Sequence, residues 1–504
     1  MHLDLAMREI KYKYRGNVVR TALWISIISL LLFLSLVACD GGSSNGSSPG
    51  AGAIESAPNL TGLDPEANDS SVVQGSDVTA AFDMKMDSVS ANTFVVYGSQ
   101  TGRLAGIYSG DGSNTLRFDS NNKFKIGEEI EVTLTNSLTS TEGVSLELPI
   151  VYRFRAETLN GNGSFKVTDT IEDQTGASAL AAGDWDGDGD LDLAVSNFST
   201  KNVNILENDP PGVFTAIDTI SGLGGASELA AGDWDGDGDL DLAVSNFSTN
   251  SVSILENDPP GEFNGIDTIS GQTGASALAV GDWDGDGDLD LAVSNYSTNS
   301  VSILENDPPG VFNGIDTISG QGGASALTAG DWDGDGDLDL AAAIFSTNKV
   351  SILENDPPGV FNGIDTIPGQ LGANALAVGD WDGDGDLDLA VANFSTNNVT
   401  ILENNLPGVF SAVDTISGQL GANALAAGDW DGDGDLDLAV ANFSTNKVSI
   451  LENDPPGVFK AVDTISGQDG ASALAVGDWD GDGDLDLAVA NRSANNVSIL
   501  ENEP

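Results

Sequence analysis

Residues 184–194 read DWDGDGDLDLA, and the same string begins again at Asp233, Asp282, Asp331, Asp380, Asp429 and Asp478, 49 residues apart each time. Seven copies at one long period predict a propeller or a solenoid before any side chain is considered. In the second copy ASELAAGD (226–233) and LDLAVSN (240–246) flank the aspartates, and SVSILE (251–256) and FNGIDTI (263–269) follow. These short runs, rich in β-branched or small residues and separated by Gly, Pro, Asn and Asp, predict four strands per copy and therefore one propeller blade. The small residues of 226–232 suit a crowded inner strand. The last copy ends in VSILE (497–501), one strand short, while FKVTDTI (165–171) stands ahead of the first. That leading strand is expected to complete the last blade and lock the ring. A solenoid would need capping repeats, and the sequence has none.

Within a copy the acids alternate with small residues. Asp184, Asp186 and Asp188 stand at positions 1, 3 and 5, Gly189 at 6, Asp190 at 7 and Asp192 at 9. Alternate carboxylates converge on one point, and a hard cation such as Ca2+ takes about six to eight oxygens: side chains at 1, 3 and 5, a carbonyl at 7 and a carboxylate at 9. Glycine at position 6 is expected where a Cβ would obstruct the turn. Without a cation the carboxylates repel one another, and the loop is expected to be poorly ordered. An EF-hand starts the same way but needs Glu at position 12 and flanking helices, whereas Val195 occupies that place within a strand.

The stretch GDWDGDGDLDLAV (183–195) resembles the FG-GAP and related VCBS repeats of integrin α-subunit propellers and bacterial surface proteins. In that family DxDxDGxxD lies between the first two strands of a blade and holds Ca2+. The resemblance covers about residues 162–504 and implies roughly one Ca2+ per blade. It extends the candidate ligands to Asp233, Asp235, Asp237, Asp239 and Asp241, then Asp282, Asp284, Asp286, Asp288 and Asp290, then Asp331, Asp333, Asp335, Asp337 and Asp339. The remaining copies supply Asp380, Asp382, Asp384, Asp386 and Asp388, then Asp429, Asp431, Asp433, Asp435 and Asp437, then Asp478, Asp480, Asp482, Asp484 and Asp486. Trp185 and its counterparts at position 2 are expected to pack between blades; the alternative is a carbohydrate-stacking platform.

Composition narrows the function. Seventy-eight acidic residues against 18 basic ones give a net charge of -60, which repels nucleic acid and anionic membrane surfaces. His2 and Cys39 are the only histidine and cysteine, so the body offers no disulfide, no zinc site of the usual type and no histidine triad. Tyr296 is the only tyrosine of the repeats, and the near-identical copies present no distinct set of acid, base and nucleophile. The chain therefore reads as a non-enzyme.

At the N-terminus Arg8, Lys11, Lys13, Arg15 and Arg20 precede an apolar run from Thr21 to Ala38, as in a secretory leader. The run ends in LVAC (36–39), which resembles the lipobox of bacterial lipoproteins; the resemblance implies cleavage before Cys39 and lipidation of its thiol. An uncleaved membrane anchor is the alternative. Either one tethers the body outside the cytoplasm, in the cell envelope. Residues 1–38 are thus assigned to the signal peptide and 39–57 to a Gly/Ser-rich tether. Residues 58–157 alternate like a β-sandwich, and DVTAAFDMKMD (77–87), NTFVVYG (92–98), IGEEIEVTLTNSLTS (126–140) and YRF (152–154) resemble a bacterial Ig-like domain. That family implies a spacer or stalk.

The expected whole is an all-β chain, a seven-bladed β-propeller preceded by an Ig-like β-sandwich. Differences among the copies fall mainly at the end of the blades away from the aspartates, as in Glu172–Thr175 against Ser417–Leu420 and at Lys201 and Lys349. Loops on a rigid scaffold carry binding, so that end is expected to hold the ligand surface of a binding or adhesion module for a glycan or surface protein. A structural scaffold of an envelope assembly is the alternative. A surface hydrolase or lyase, which some FG-GAP-containing proteins are, is a more remote one.

Overall fold

The computed structural model describes residues 56–502 apart from 160, 259 and 407. The leader, Cys39 and nearly all of the tether lie outside those residues. Among the described residues, no helix is long and apolar enough to cross a membrane.

Alternating apolar residues build the first part. Its strands are β1 (Leu60–Asp64), β2 (Val78–Phe82), β3 (Phe94–Gly98), β4 (Gly102–Arg103), β5 (Gly106–Ser109), β6 (Thr115–Ser120), β7 (Glu129–Leu134) and β8 (Ile150–Arg155). They pair as two antiparallel sheets, β1-β2-β6-β5 and β4-β3-β7-β8. Val78, Ala80 and Phe82 of the first sheet meet Phe94, Val96, Ile130, Val132 and Phe154 of the second in one core. Strand geometry sends the intervening residues of β3 and β7 to the opposite face. Those residues, Val95, Tyr97, Glu131 and Thr133, are also buried, so something covers the second face.

What covers it is the repeat region. Strand β9 (Phe165–Ile171) leads into β10 (Ala177–Gly183), β11 (Asp192–Asn197), β12 (Asn202–Asn208) and β13 (Phe214–Ser221), which form a four-stranded antiparallel sheet in chain order. The unit recurs to give seven such sheets, numbered 1 to 7 here, in a propeller-like arrangement. Sheet 7 takes β9 as its outer strand, with Val497 opposite Ile171 and Asn502 opposite Phe165. The strand ahead of the first copy therefore completes the last sheet, as its sequence position implies.

Residue size explains the stacking. The inner strands are mostly alanine, serine and glycine, which lets them crowd around a central channel, and Leu193, Ala194 and Val195 of β11 are buried because neighbouring sheets lie on both faces. Strand β13 keeps Thr215 and Thr219 in solvent, a polar rim that discourages edge pairing. Ala179, Trp185, Val203 and Ile205 of sheet 1 pack on Leu229, Leu242 and Val244 of sheet 2. At the seam Trp479, Ala488, Val497 and Ile499 of sheet 7 pack on Leu180, Leu193 and Val195 of sheet 1 in the same manner. Each position-2 tryptophan is buried, and Trp185 meets Phe263 of the next sheet edge to face, with ring centroids 5.8 Å apart. Packing, not a stacking platform, is its role. The seven indole N–H groups find no acceptor among the described residues, so the gain here comes from the ring alone.

The N-terminal domain is laid across the aspartate-loop end of the ring and is no free stalk. The position-6 glycine carbonyl accepts from it, or from the segment linking it to the ring, in five loops: Gly189 from Lys125 Nζ, Gly336 from Val151 N (2.7 Å), Gly385 from Asn68 Nδ2 (3.3 Å), Gly434 from Ser70 Oγ (3.5 Å) and Gly483 from Leu159 N (2.9 Å). Val95 and Tyr97 join the core around Trp234, and Val151 joins the one around Trp283. The partly buried Arg153 pairs with Glu131 at 2.6 Å and Glu129 at 3.0 Å and donates to the Val280 carbonyl at 2.8 Å.

Candidate metal centres

Each aspartate loop connects the first two strands of a sheet, and the register Gly183 opposite Asp192 fixes its ends. Position 9 is therefore the first residue of the second strand. Its carboxylate is held from both sides: in sheet 1 Asp192 Oδ2 accepts from Trp185 N at 3.0 Å and Oδ1 from Asn208 N at 2.8 Å. Position 1 closes the loop from within, as Asp233 Oδ1 takes Gly236 N at 2.8 Å and Oδ2 takes Gly238 N at 3.1 Å. Gly189 has φ +106°, which side chains rarely adopt, but a Cβ there would meet nothing within 4 Å. The glycine is required by backbone conformation, not by lack of space.

Three of the five aspartates in a loop come together. Carboxylate oxygens of Asp184, Asp186 and Asp192 lie within 4.8 Å of one another, as do those of Asp233, Asp235 and Asp241, of Asp282, Asp284 and Asp290, of Asp331, Asp333 and Asp339, and of Asp380, Asp382 and Asp388; two further groups of this kind exist. Positions 5 and 7 stand outside these triads. Position 5 shapes the turn, its Asp188 Oδ1 accepting from Asp190 N at 3.0 Å.

The donor set suits a hard cation. Every converging atom is a carboxylate oxygen. Buried oxygens of Asp184, Asp333, Asp337 and Asp484 find no hydrogen-bond partner among the described residues, which is costly unless something else satisfies them. Burial raises the pKa of Asp192, Asp241 and Asp388 to about 7 and of Asp339, Asp437 and Asp486 to about 8, with neighbouring aspartates adding to the rise. A bound dication would let them ionise.

Two contributors escaped the sequence reading. Asn257 Nδ2, at the end of the third strand of sheet 2, donates to Trp185 O of sheet 1 at 2.8 Å and to Leu240 O of its own loop at 3.0 Å, tying one loop to the next. Asn208, Asn306, Asn355 and Asn453 repeat it. The glutamate just before each asparagine stands beside the position-3 aspartate: the pKa of Glu207 and Glu256 is raised by burial and by Asp186 and Asp235. The signal was the repeated Leu-Glu-Asn ahead of each turn. Site 3 also has a second owner, since Asp282 Oδ2 accepts from Thr133 Oγ1 at 2.7 Å and Asp282 N donates to Glu131 Oε1 at 3.1 Å.

The FG-GAP-like repeat model matches residues 184–244, 233–293, 282–342, 331–391, 380–440 and 429–489, more than half of the chain. The chain belongs to the FG-GAP-like repeat family. Ahead of the FG-GAP-like repeats, residues 54–156 match the bacterial Ig-like domain model. No curated protein matches the sequence. Among solved structures it is similar to a streptogramin B lyase (14% identity, 67% of this chain and 97% of that one, TM-score 0.47). It is also similar to a protein from Lactobacillus plantarum (11%, 76% and 98%, 0.47) and to an auxiliary nutrient binding protein from Bacteroides thetaiotaomicron (10%, 89% and 98%, 0.41).

Proposed function

We propose that this chain is an extracytoplasmic, lipid-anchored binding or adhesion module whose seven-bladed β-propeller is held in shape by about one Ca2+ per blade. Cys39 carries the anchor, and the Ig-like sandwich joins the tether to the propeller. The observation that supports the metal reading most is the convergence of the carboxylates at positions 1, 3 and 9, all oxygen donors on a preformed loop. Calcium here is structural: it neutralises acids at the sheet ends and fixes the loops on which the Ig-like domain rests.

The role is non-enzymatic, because beyond residue 39 the sequence has neither histidine nor cysteine and the copies are near-identical. With the Ig-like domain resting on the loop end, the other end is the one left for a glycan or a surface protein. Saturable binding of the chain from residue 40 onward to polysaccharides or envelope fractions, lost on chelation, is the expected result. Binding to none of them would move the reading to a structural scaffold of an envelope assembly.

A further inference from the structure

The channel mouth at the end away from the aspartate loops carries a feature that the metal and adhesion readings leave unused. A cavity of about 440 Å3 opens there, lined by Ser178, Ser227 and the serines and asparagines at their equivalent positions and by leucines such as Leu180, Leu278 and Leu327. At the other end Tyr97, Glu131 and Arg153 of the N-terminal domain line the channel.

The serines and asparagines of the rim point donors at the wall. Ser178 Oγ donates to Ala226 O of the next sheet at 3.1 Å, Ser227 Oγ to Ala275 O at 3.0 Å and Ser325 Oγ to Ala373 O at 2.8 Å, while Asn374 Nδ2 donates to Asn423 O at 2.9 Å. With the serine donors spent on the wall, those oxygens keep acceptor capacity for a ligand. One residue breaks the sevenfold pattern: Glu228 stands where the other copies have alanine. Its neighbours Ala179 and Ala277 are 1% and 3% exposed, whereas Ala326, Ala375, Ala424 and Ala473 are partly exposed, so the Glu228 side chain lies over the wall of the channel. Among the described residues no basic side chain pairs with it. Arg492, the one cation lining the mouth, is turned onto the Phe198 ring at 5.3 Å.

We infer that this mouth binds a small organic ammonium compound, its charged head on the Glu228 carboxylate and the rim oxygens and its apolar body on the leucines. The cavity has the size of a small-molecule site, and a carboxylate beside serine acceptors, with the Arg492 cation turned onto the Phe198 ring, rewards a donor-rich cation. The site stands apart from adhesion, since a propeller without a surface ligand would still present it. Burial raises the Glu228 pKa to about 7, so the carboxylate takes up a proton just where an approaching cation would hold it ionised.

The test is calorimetric titration of the calcium-loaded full chain with n-hexylammonium, 1-hexanol and hexanoate. One saturable hexylammonium site is expected, with no saturable uptake of hexanoate, and affinity falling about tenfold or more in Glu228→Ala and Glu228→Gln. Affinity should rise from about pH 6 to about pH 8 as Glu228 loses its proton, and Arg492→Ala should strengthen it. Glu228→Ala restores the residue of the other six copies, so the variant should melt as the parent does. Hexanol binding as tightly as hexylammonium, or unchanged affinity in Glu228→Gln, would overturn the inference.

Discussion

Removing metal should make this protein more stable in mild acid than at neutral pH. The position-9 aspartates are buried; six of them sit at about 7 to 8 in the metal-free fold against 3.8 for an ordinary aspartate, and burial and Asp282 raise Asp290 as well. Their folded-state pKa is raised, so their favourable contribution is complete below about pH 4 and is lost as pH climbs through about 7 to 8. A rise of three units corresponds to about 4 kcal/mol per site, so two or three sites rival the ~5–15 kcal/mol that holds a domain folded. Urea unfolding followed by the fluorescence of the seven buried tryptophans reports on every loop. In chelator the midpoint should fall steadily from about pH 5 to about pH 8, and in excess calcium that fall should vanish. A chelated protein that unfolds at the same urea concentration at both ends of the range, or that weakens on acidification, would show that these buried carboxylates do not govern its stability.

Two side chains outside the aspartate strings should matter as much. Asn257→Ala strands the buried Trp185 and Leu240 carbonyls and should cost about 2–3 kcal/mol in urea unfolding; a loss under half of that would deny the asparagine its place between sheets. Arg153→Met leaves Glu131 buried without its partner and should cost about 3–5 kcal/mol. The added readout is faster proteolysis at residues 157–164, and unchanged cleavage would mean that the domain does not depend on this pair for docking.

Much of this was legible because the period of 49 residues forces one solution on every copy. The four strands, the placing of β9 in sheet 7 and the aspartate loop between the first two strands all follow from residue type and spacing. What stayed hidden was long-range. Glu129, Glu131 and Thr133 alternate with apolar residues in β7, and only the fold shows their face lying on the ring, with Thr133 reaching an aspartate 149 residues away. The role of the Leu-Glu-Asn asparagines stayed out of reach because the carbonyl each one meets lies in another repeat, 72 residues upstream for Asn257. Within the loops the spacing puts the carboxylates at alternate positions, and the fold adds that those at 1, 3 and 9 meet, while Asp186 at position 3 and Asp188 at position 5 each accept from the backbone two residues on.

The most direct test is the metal content of the purified chain after dialysis against calcium, by native mass spectrometry beside a chelated sample. The account predicts up to seven Ca2+ per chain, one for each aspartate loop. A chain that retains no calcium and unfolds identically in chelator would contradict it.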